Sequence, residues 1–207
     1  MNADRERFAA LFDVSRETFG RLDTYASLLA KWNAKINLVS PSTLPHLWER
    51  HFVDSAQILK LAPNSGQWLD IGSGAGFPGM VCAIMAAETS PDLAVSFVES
   101  DQRKCAFLKT VLRELGLVAT VHSARIEALE PTPANILTAR ALAPLPDLLA
   151  FAERHLAEDG LCLFPKGARV EDEITKSLET WAFDVTKHPS ETDPAGTILA
   201  IGSITRV

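Results

Sequence analysis

Two spacings divide the chain. Over the first sixty residues apolar side chains recur at helical intervals: Phe8, Leu11 and Phe12, then Phe19, Leu22, Leu28 and Leu29. Such recurrence makes one apolar helix face. Ser15 stands where a second helix needs a cap. Pro41-Ser42-Thr43 punctuates, a third helix is predicted from Leu44 to about Leu61, and Pro63-Asn64-Ser65-Gly66 breaks the chain. Residues 4–62 therefore read as helical throughout.

From Gln67 the pattern alternates. Strands are predicted at Trp68–Ile71, Leu93–Val98, Val118–Val121, Asn135–Thr138 and Leu161–Phe164. Helices are predicted at Met80–Ala87, Asp101–Leu115, Leu145–Leu156 and Val170–Leu178. Alternating strand and helix means a parallel sheet with helices on both faces. Two adjacent strands close the chain, near Phe183–Thr186 and Ile198–Ile204, and predict an antiparallel hairpin at one edge. The expected fold is α/β and Rossmann-like, with a mostly parallel seven-stranded sheet. The expected division is an N-terminal helical extension, 1–65, packed on the core, and a sheet domain, 66–207.

Composition narrows the class. Of 207 residues, 47% are hydrophobic and 22% charged, ordinary for a globular protein with a sizeable core. No apolar run follows the charged start or reaches the roughly 20 residues that span a bilayer. Cys82, Cys105 and Cys162 are widely spaced among apolar neighbours, which predicts buried thiols rather than disulfides or metal ligands. These features predict a cytoplasmic protein without a metal. A net charge of −6 argues mildly against nucleic acid as partner, although a local basic patch acts where the sum does not.

The candidate chemistry lies in Asp70-Ile-Gly-Ser-Gly-Ala-Gly-Phe-Pro-Gly79. It follows a strand, where open parallel sheets bind ligands. Gly74, Gly76 and Gly79 also fit a dinucleotide fingerprint. Two residues favour S-adenosylmethionine over NAD. Asp70 puts a carboxylate where a ligand ammonium would sit. Pro78 removes an N–H that a pyrophosphate would want. Glu99, ending the second strand, suits ribose hydroxyls of either cofactor.

Elimination narrows the acceptor. The segment Thr138-Ala-Arg-Ala-Leu-Ala-Pro144 lacks the Asp/Asn-Pro-Pro-aromatic pattern of exocyclic amine methylation. No cysteine sits in an exposed nucleophilic setting. His51 and His122 are candidate bases for oxygen methylation, although a lone histidine is more often structural. An acceptor needing no deprotonation, such as guanine N7, requires alignment more than acid–base help.

Several stretches together resemble one family. Lys31-Trp-Asn-Ala-Lys-Ile-Asn-Leu38, Arg50-His-Phe-Val-Asp-Ser55, the glycine loop, Phe107-Leu108, Arg125-Ile-Glu127, Arg140-Ala141 and Lys166-Gly167 are similar to the RsmG family, formerly called GidB. The likeness covers residues 31 to 167 and implies, for the domain 66–207, the class I S-adenosylmethionine-dependent methyltransferase fold, with helices on both faces of the sheet. It implies methyl transfer from S-adenosylmethionine to guanine N7 of 16S rRNA in the 30S subunit, guanine 527 in the customary numbering. It implies cofactor contacts at Gly72 and Phe77, at Ile126 and Glu127 beside the adenine, and at Arg140, which reaches into the site. Arg103-Lys104 stands where Lys-Arg is usual, and Glu99 where Asp is frequent.

The expected cofactor set is thus Asp70, Gly72, Gly74, Gly76, Phe77, Glu99, Ile126, Glu127 and Arg140. Arg140 is expected to position the reactants and Lys166 to assist; the plainer alternatives are an ion pair and a solvated lysine. RNA contacts are expected from Asn33, Asn37, His51, Arg103, Lys104 and Lys166. Trp32 and Asp54 join the group expected to cap the cleft, against the alternative of core packing and turn bonds. A monomer is expected. A small-molecule methyltransferase, another RNA methyltransferase and a non-catalytic assembly protein remain the other functions this sequence allows.

Overall fold

A computed structural model describes residues 3–207. Its helices are α1 (Ala3–Leu11), α2 (Arg16–Asn33), α3 (Asp54–Leu59), α4 (Gly79–Thr89), α5 (Gln102–Leu115), α6 (Leu145–His155) and α7 (Val170–Ser177). Its strands are β1 (Gly66–Ile71), β2 (Leu93–Glu99), β3 (Thr120–Ser123), β4 (Ala134–Ala139), β5 (Leu156–Lys166), β6 (Trp181–Pro189) and β7 (Thr197–Arg206). They form one sheet in the order β3-β2-β1-β4-β5-β7-β6. The first five strands run parallel, and β7 lies antiparallel between β5 and β6. The chain reverses its winding between β1 and β4, so a crevice opens past their carboxyl ends.

Both faces of the sheet are covered, which is why its strands are apolar at successive positions. On one face Trp68, Phe97, Ile136 and Leu163 share a buried cluster with α2, α4 and α5 and with Phe8 of α1. On the other, Leu69, Ile71, Leu137 and Phe164 pack with α6 and α7. The N-terminal helices thus add Phe8, Leu22, Tyr25 and Leu29, all fully buried, to the core under the sheet.

Ser15 caps α2, its hydroxyl accepting from the Thr18 N–H at 3.1 Å. Helix does not continue to residue 62, however. Asn33 ends α2 and its side-chain oxygen accepts from the N–H groups of Leu38 and Val39, both at 2.9 Å, folding 34–39 into turns. The predicted third helix is really three geometries in succession: a 3₁₀ segment Pro41–His46, a π-helical turn Trp48–Val53, and α3. Such π turns re-aim side chains and often mark functional sites.

Most strands run a few residues beyond the sequence expectation, and two of the starts have a visible cause. β3 begins at Thr120 rather than Val118. Gly116 closes α5 at φ +64°, with Leu117 N–H bonded to Leu112 O and Gly116 N–H to Arg113 O. This Schellman closure uses residues 116–117 and leaves Val118 fully exposed. β5 begins at Leu156, five residues before the apolar run, because the ladder with β4 shifts register and absorbs Glu158, Asp159 and Gly160 as an irregularity. A Cβ on Gly160 would lie 2.7 Å from Leu156 Cγ and 2.8 Å from Ala134 O. The three cysteines are free and buried. No described helix is long and apolar enough to cross a membrane.

Candidate active site

The crevice at the switch point is built from five pieces: the glycine loop after β1, the ends of β2, β4 and β5, and the π turn. Register places Asp70 of β1 opposite Thr138 of β4. The Thr138 hydroxyl donates to Asp70 Oδ1 at 2.7 Å and accepts from Trp68 Nε1 at 2.8 Å. Asp70 is wholly buried, its Oδ2 has no hydrogen-bond partner, and burial pushes its carboxyl up to about 6, opposed by the Thr138 bond and the charge of Arg140. An orphaned buried carboxylate oxygen fits a ligand ammonium.

Glu99 ends β2 and is also buried. Its Oε2 accepts from Gly74 N–H and its Oε1 from Asp101 N–H, both at 2.8 Å. Each oxygen keeps a lone pair that a ribose hydroxyl would occupy. Beyond Glu99 a cavity of about 460 Å³ is lined by Ile126, Leu142, Ala143, Ala150 and Phe151, with Ser100, Arg125, Glu127 and Asp147 as its polar groups, a mixed lining that suits a flat base with polar edges.

The start of α4 presents no phosphate cradle. Pro78, reached through a cis bond from Phe77, is its N-cap, and Gly79 and Met80 are buried. Met80 N–H is spent on Gly76 O at 2.7 Å, and the Tyr25 hydroxyl donates to Ala75 O at 2.6 Å from above. The set therefore fits S-adenosylmethionine: acid for ammonium, acid for ribose, slot for adenine, and no exposed helix start for a pyrophosphate.

The other half of the crevice centres on Arg140, at the end of β4. Its guanidinium lies over the Phe77 ring, 4.6 Å from the centroid, and its side chain is only 18% exposed. NH1 faces Asp54 Oδ2 at 3.4 Å, and NH2 donates to His51 Nδ1 at 2.9 Å. His51 stacks on Phe77 too, at 4.9 Å and 20°. Burial, together with Arg140 and Arg50, pushes His51 down to about 3, so the imidazole is neutral at any physiological pH. Next to Arg140 the chain at Ala141 takes φ +53°, a conformation L residues avoid and active sites tolerate.

A cavity of about 340 Å³ opens beside this group, its lining including Arg50, His51, Asp54, Arg140, Lys166 and Thr192. The connection between β6 and β7 forms one wall. Thr192 donates to Asp54 Oδ1 at 3.1 Å, and Gln57 Oε1 accepts from Glu191 N–H at 2.8 Å.

Known proteins share both the sequence and the fold that build this crevice. Residues 19–193 match the family model described as GidB: rRNA small subunit methyltransferase G. The protein named Ribosomal RNA small subunit methyltransferase G in Ruegeria sp. strain TM1040 is 50% identical over 195 residues, covering 94% of this chain and 95% of that one. Its namesake in Paramagnetospirillum magneticum is 52% identical over 194 residues, 93% and 92% of the two chains. The chain belongs to the GidB family. Solved structures share the fold at low identity. A ribosomal protein L11 methylase from Lactobacillus delbrueckii subsp. bulgaricus has TM-score 0.58 at 18% identity, over 72% of this chain and 75% of its own. M. jannaschii TYW2 in complex with AdoMet has TM-score 0.55 at 13%, over 84% and 80%.

Within this GidB-family chain the expected residues divide. Ile126 and Glu127 line the cavity beyond Glu99; Asp70, Gly72, Gly74 and Glu99 gather at the ends of β1 and β2; His51, Asp54, Phe77 and Arg140 meet on the other side. Gly76, at φ +100°, faces Tyr25 and Met80 under the loop. Lys166 lines the cavity, but its ammonium sits 2.7 Å from Glu173 Oε2 and 3.3 Å from Ala143 O. Arg103 pairs with Asp101, and Arg103 and Lys104 lie on the first turn of α5 and line neither cavity. Asn33 is occupied in its turn, Asn37 is exposed beside it, and Trp32 packs on Phe107, with ring centroids 5.6 Å apart. Tyr25, Thr43, Gln57, Thr138 and Thr192 carried no signal in the sequence. They are single polar residues on apolar faces or in turns, and they matter only through partners 50 to 138 positions away, or 8 in the case of Thr43. Among the described residues no cluster of three His, Cys, Asp or Glu side chains forms a metal site.

Proposed function

We propose that this protein transfers the methyl group of S-adenosylmethionine to N7 of one guanine of 16S rRNA, by alignment alone. Family membership supports the rRNA methyltransferase activity. The observation that carries the choice of atom is the state of His51: its basic nitrogen is already occupied by Arg140. The imidazole in the cavity therefore has no lone pair with which to deprotonate an acceptor. Guanine N7 offers a lone pair in its ordinary protonation state and needs none removed.

S-adenosylmethionine, when bound, supplies an electrophilic methyl on a sulfonium centre. Asp70 would meet its ammonium, Glu99 its ribose, and Ile126 with Glu127 would border its adenine. Arg140, braced by Asp54, His51 and Phe77, would bind an anionic group, carboxylate or phosphate, and fix the acceptor in line with the methyl. Rigid placement of this kind is the principal source of rate where no proton moves. The helical extension, 1–65, contributes His51 and Asp54 to a domain, 66–207, that holds the cofactor. The proposed protein is a monomer acting in the cytoplasm; sedimentation tests the former.

The deciding experiment supplies labelled cofactor with 30S subunits and with naked 16S rRNA, both from cells lacking the protein. Chemical cleavage at N7-methylguanine should report a single site. Label on a cytosine, on an exocyclic amine or only on small molecules would refute the acceptor.

A further inference from the structure

The polar groups around Arg140 form a chain with only one direction. Arg140 can donate but not accept, so the His51 Nδ1 facing its NH2 at 2.9 Å must be unprotonated. The ring proton then sits on Nε2, which lies 2.9 Å from Thr43 Oγ1. The Thr43 hydroxyl is in turn committed to Ser40 O, at 2.8 Å, and so receives from Nε2. The order runs Arg140 to His51 to Thr43 to the Ser40 carbonyl. Phe77 stacks against the imidazole and fixes its plane. The charged groups facing the ring are Arg140 from β4 and Arg50 and Asp54 from its own helical segment; Lys166 and Asp193 line the same cavity.

We infer that His51 is a positioning residue: held as the neutral Nε2–H tautomer by Thr43, it fixes the Arg140 guanidinium through Nδ1 and takes no proton during methyl transfer. Asp54 already sets one carboxylate against Arg140; a second in place of His51 would over-neutralise the guanidinium, and a donor would repel it. A neutral acceptor aims the guanidinium without adding negative charge to that of Asp54. The π turn makes this arrangement possible, since it brings His51 and Asp54 to the same guanidinium from one helical segment. The inference rests on Arg140 working in this site, and holds whichever rRNA atom receives the methyl.

Two measurements test it. In the wild-type protein labelled with ¹⁵N-histidine, long-range ¹H–¹⁵N spectra should show His51, assigned by its loss in H51N, as a neutral Nε2–H ring from pH 8 to pH 5. An Nδ1–H ring, or titration near pH 6.5, would overturn the inference. Methyl transfer to 30S subunits is then compared for H51N, H51Q and H51F. Asparagine returns an acceptor near the Nδ1 position, glutamine does so only near Nε2, and phenylalanine keeps the stack without an acceptor. The expected order of kcat is wild type, then Asn within about tenfold, then Gln and Phe about 10- to 100-fold down, as for loss of one charge-assisted hydrogen bond. Equal losses in Asn and Phe, with the acidic limb of the pH profile abolished in both, would make His51 a base instead. Should H51F not fold, T43V serves: Arg140 still holds Nδ1 unprotonated, so the Nε2–H tautomer should persist, while loss of the Thr43 anchor should lower kcat; a wild-type kcat would overturn the inference.

Discussion

At the scale of single residues, the site is an arrangement of buried charge, and Asp70 is its most costly member. Its carboxyl stands at about 6 in the fold against an ordinary value of 3.8, chiefly through burial. A folded pKa above the unfolded one favours the fold at low pH, and that contribution is lost as pH rises from about 4 through about 6. Stability should therefore fall across this window by on the order of 2–3 kcal/mol from this group. Asp70→Asn should flatten that part of the pH–stability curve and raise Tm at pH 7.5. It should also weaken S-adenosylmethionine binding about tenfold or more in calorimetry, because the proposed partner of the ammonium loses its charge. An Asn variant with the wild-type pH curve would show that Asp70 ionises freely in the fold.

At the scale of elements, glycine positions separate function from propensity. Gly72 sits at φ +61°, and a Cβ there would come within 2.5 Å of Leu142 Cδ1. Gly72→Ala should cost about 1–3 kcal/mol in denaturant unfolding and reduce cofactor affinity, since Leu142, displaced by the new methyl, lines the cavity proposed for the adenine. Gly20 lies inside α2, and a methyl added there would have nothing within 4 Å. Gly20→Ala should therefore raise stability by about 0.5–1 kcal/mol. The β6–β7 connection gives a third test. Thr192→Val removes its bond to Asp54, and should raise KM for 30S subunits while leaving the dissociation constant of S-adenosylmethionine near wild type. A change confined to cofactor binding would move that loop out of the acceptor side.

At the scale of the molecule, the helical extension and the sheet share a core, and the site needs both. Phe8, Leu22, Tyr25 and Leu29 bury their side chains in the cluster that includes Trp68, Phe97 and Ile136. Each large apolar side chain so placed is worth roughly 1.5–3 kcal/mol, against a total stability of about 5–15 kcal/mol. Deleting residues 1–33 should leave a chain without a cooperative thermal transition, followed by near-UV circular dichroism. A truncated protein that melts sharply would mean that the 66–207 unit carries its own complete core.

The sequence alone determined the kind of fold and the kind of cofactor. Strand and helix alternation, the closing hairpin, Asp70 before the glycines, Pro78 after them and Glu99 at a strand end are local features, written in neighbouring residues. They are legible because a strand's apolar run and a helix's stripe depend on spacing in the chain. What only the tertiary structure decided is which polar residues meet. Periodicity read residues 34–62 as helix, yet the Asn33 turn and the π segment re-aim His51 and Asp54 at Arg140, 89 and 86 positions away. Lys166 turned to Glu173, and Arg103 paired with Asp101, because the nearest carboxylate stabilises a cation regardless of its sequence motif. Hydrogen-bond direction, which makes His51 an acceptor rather than a base, exists only once the donor has been placed.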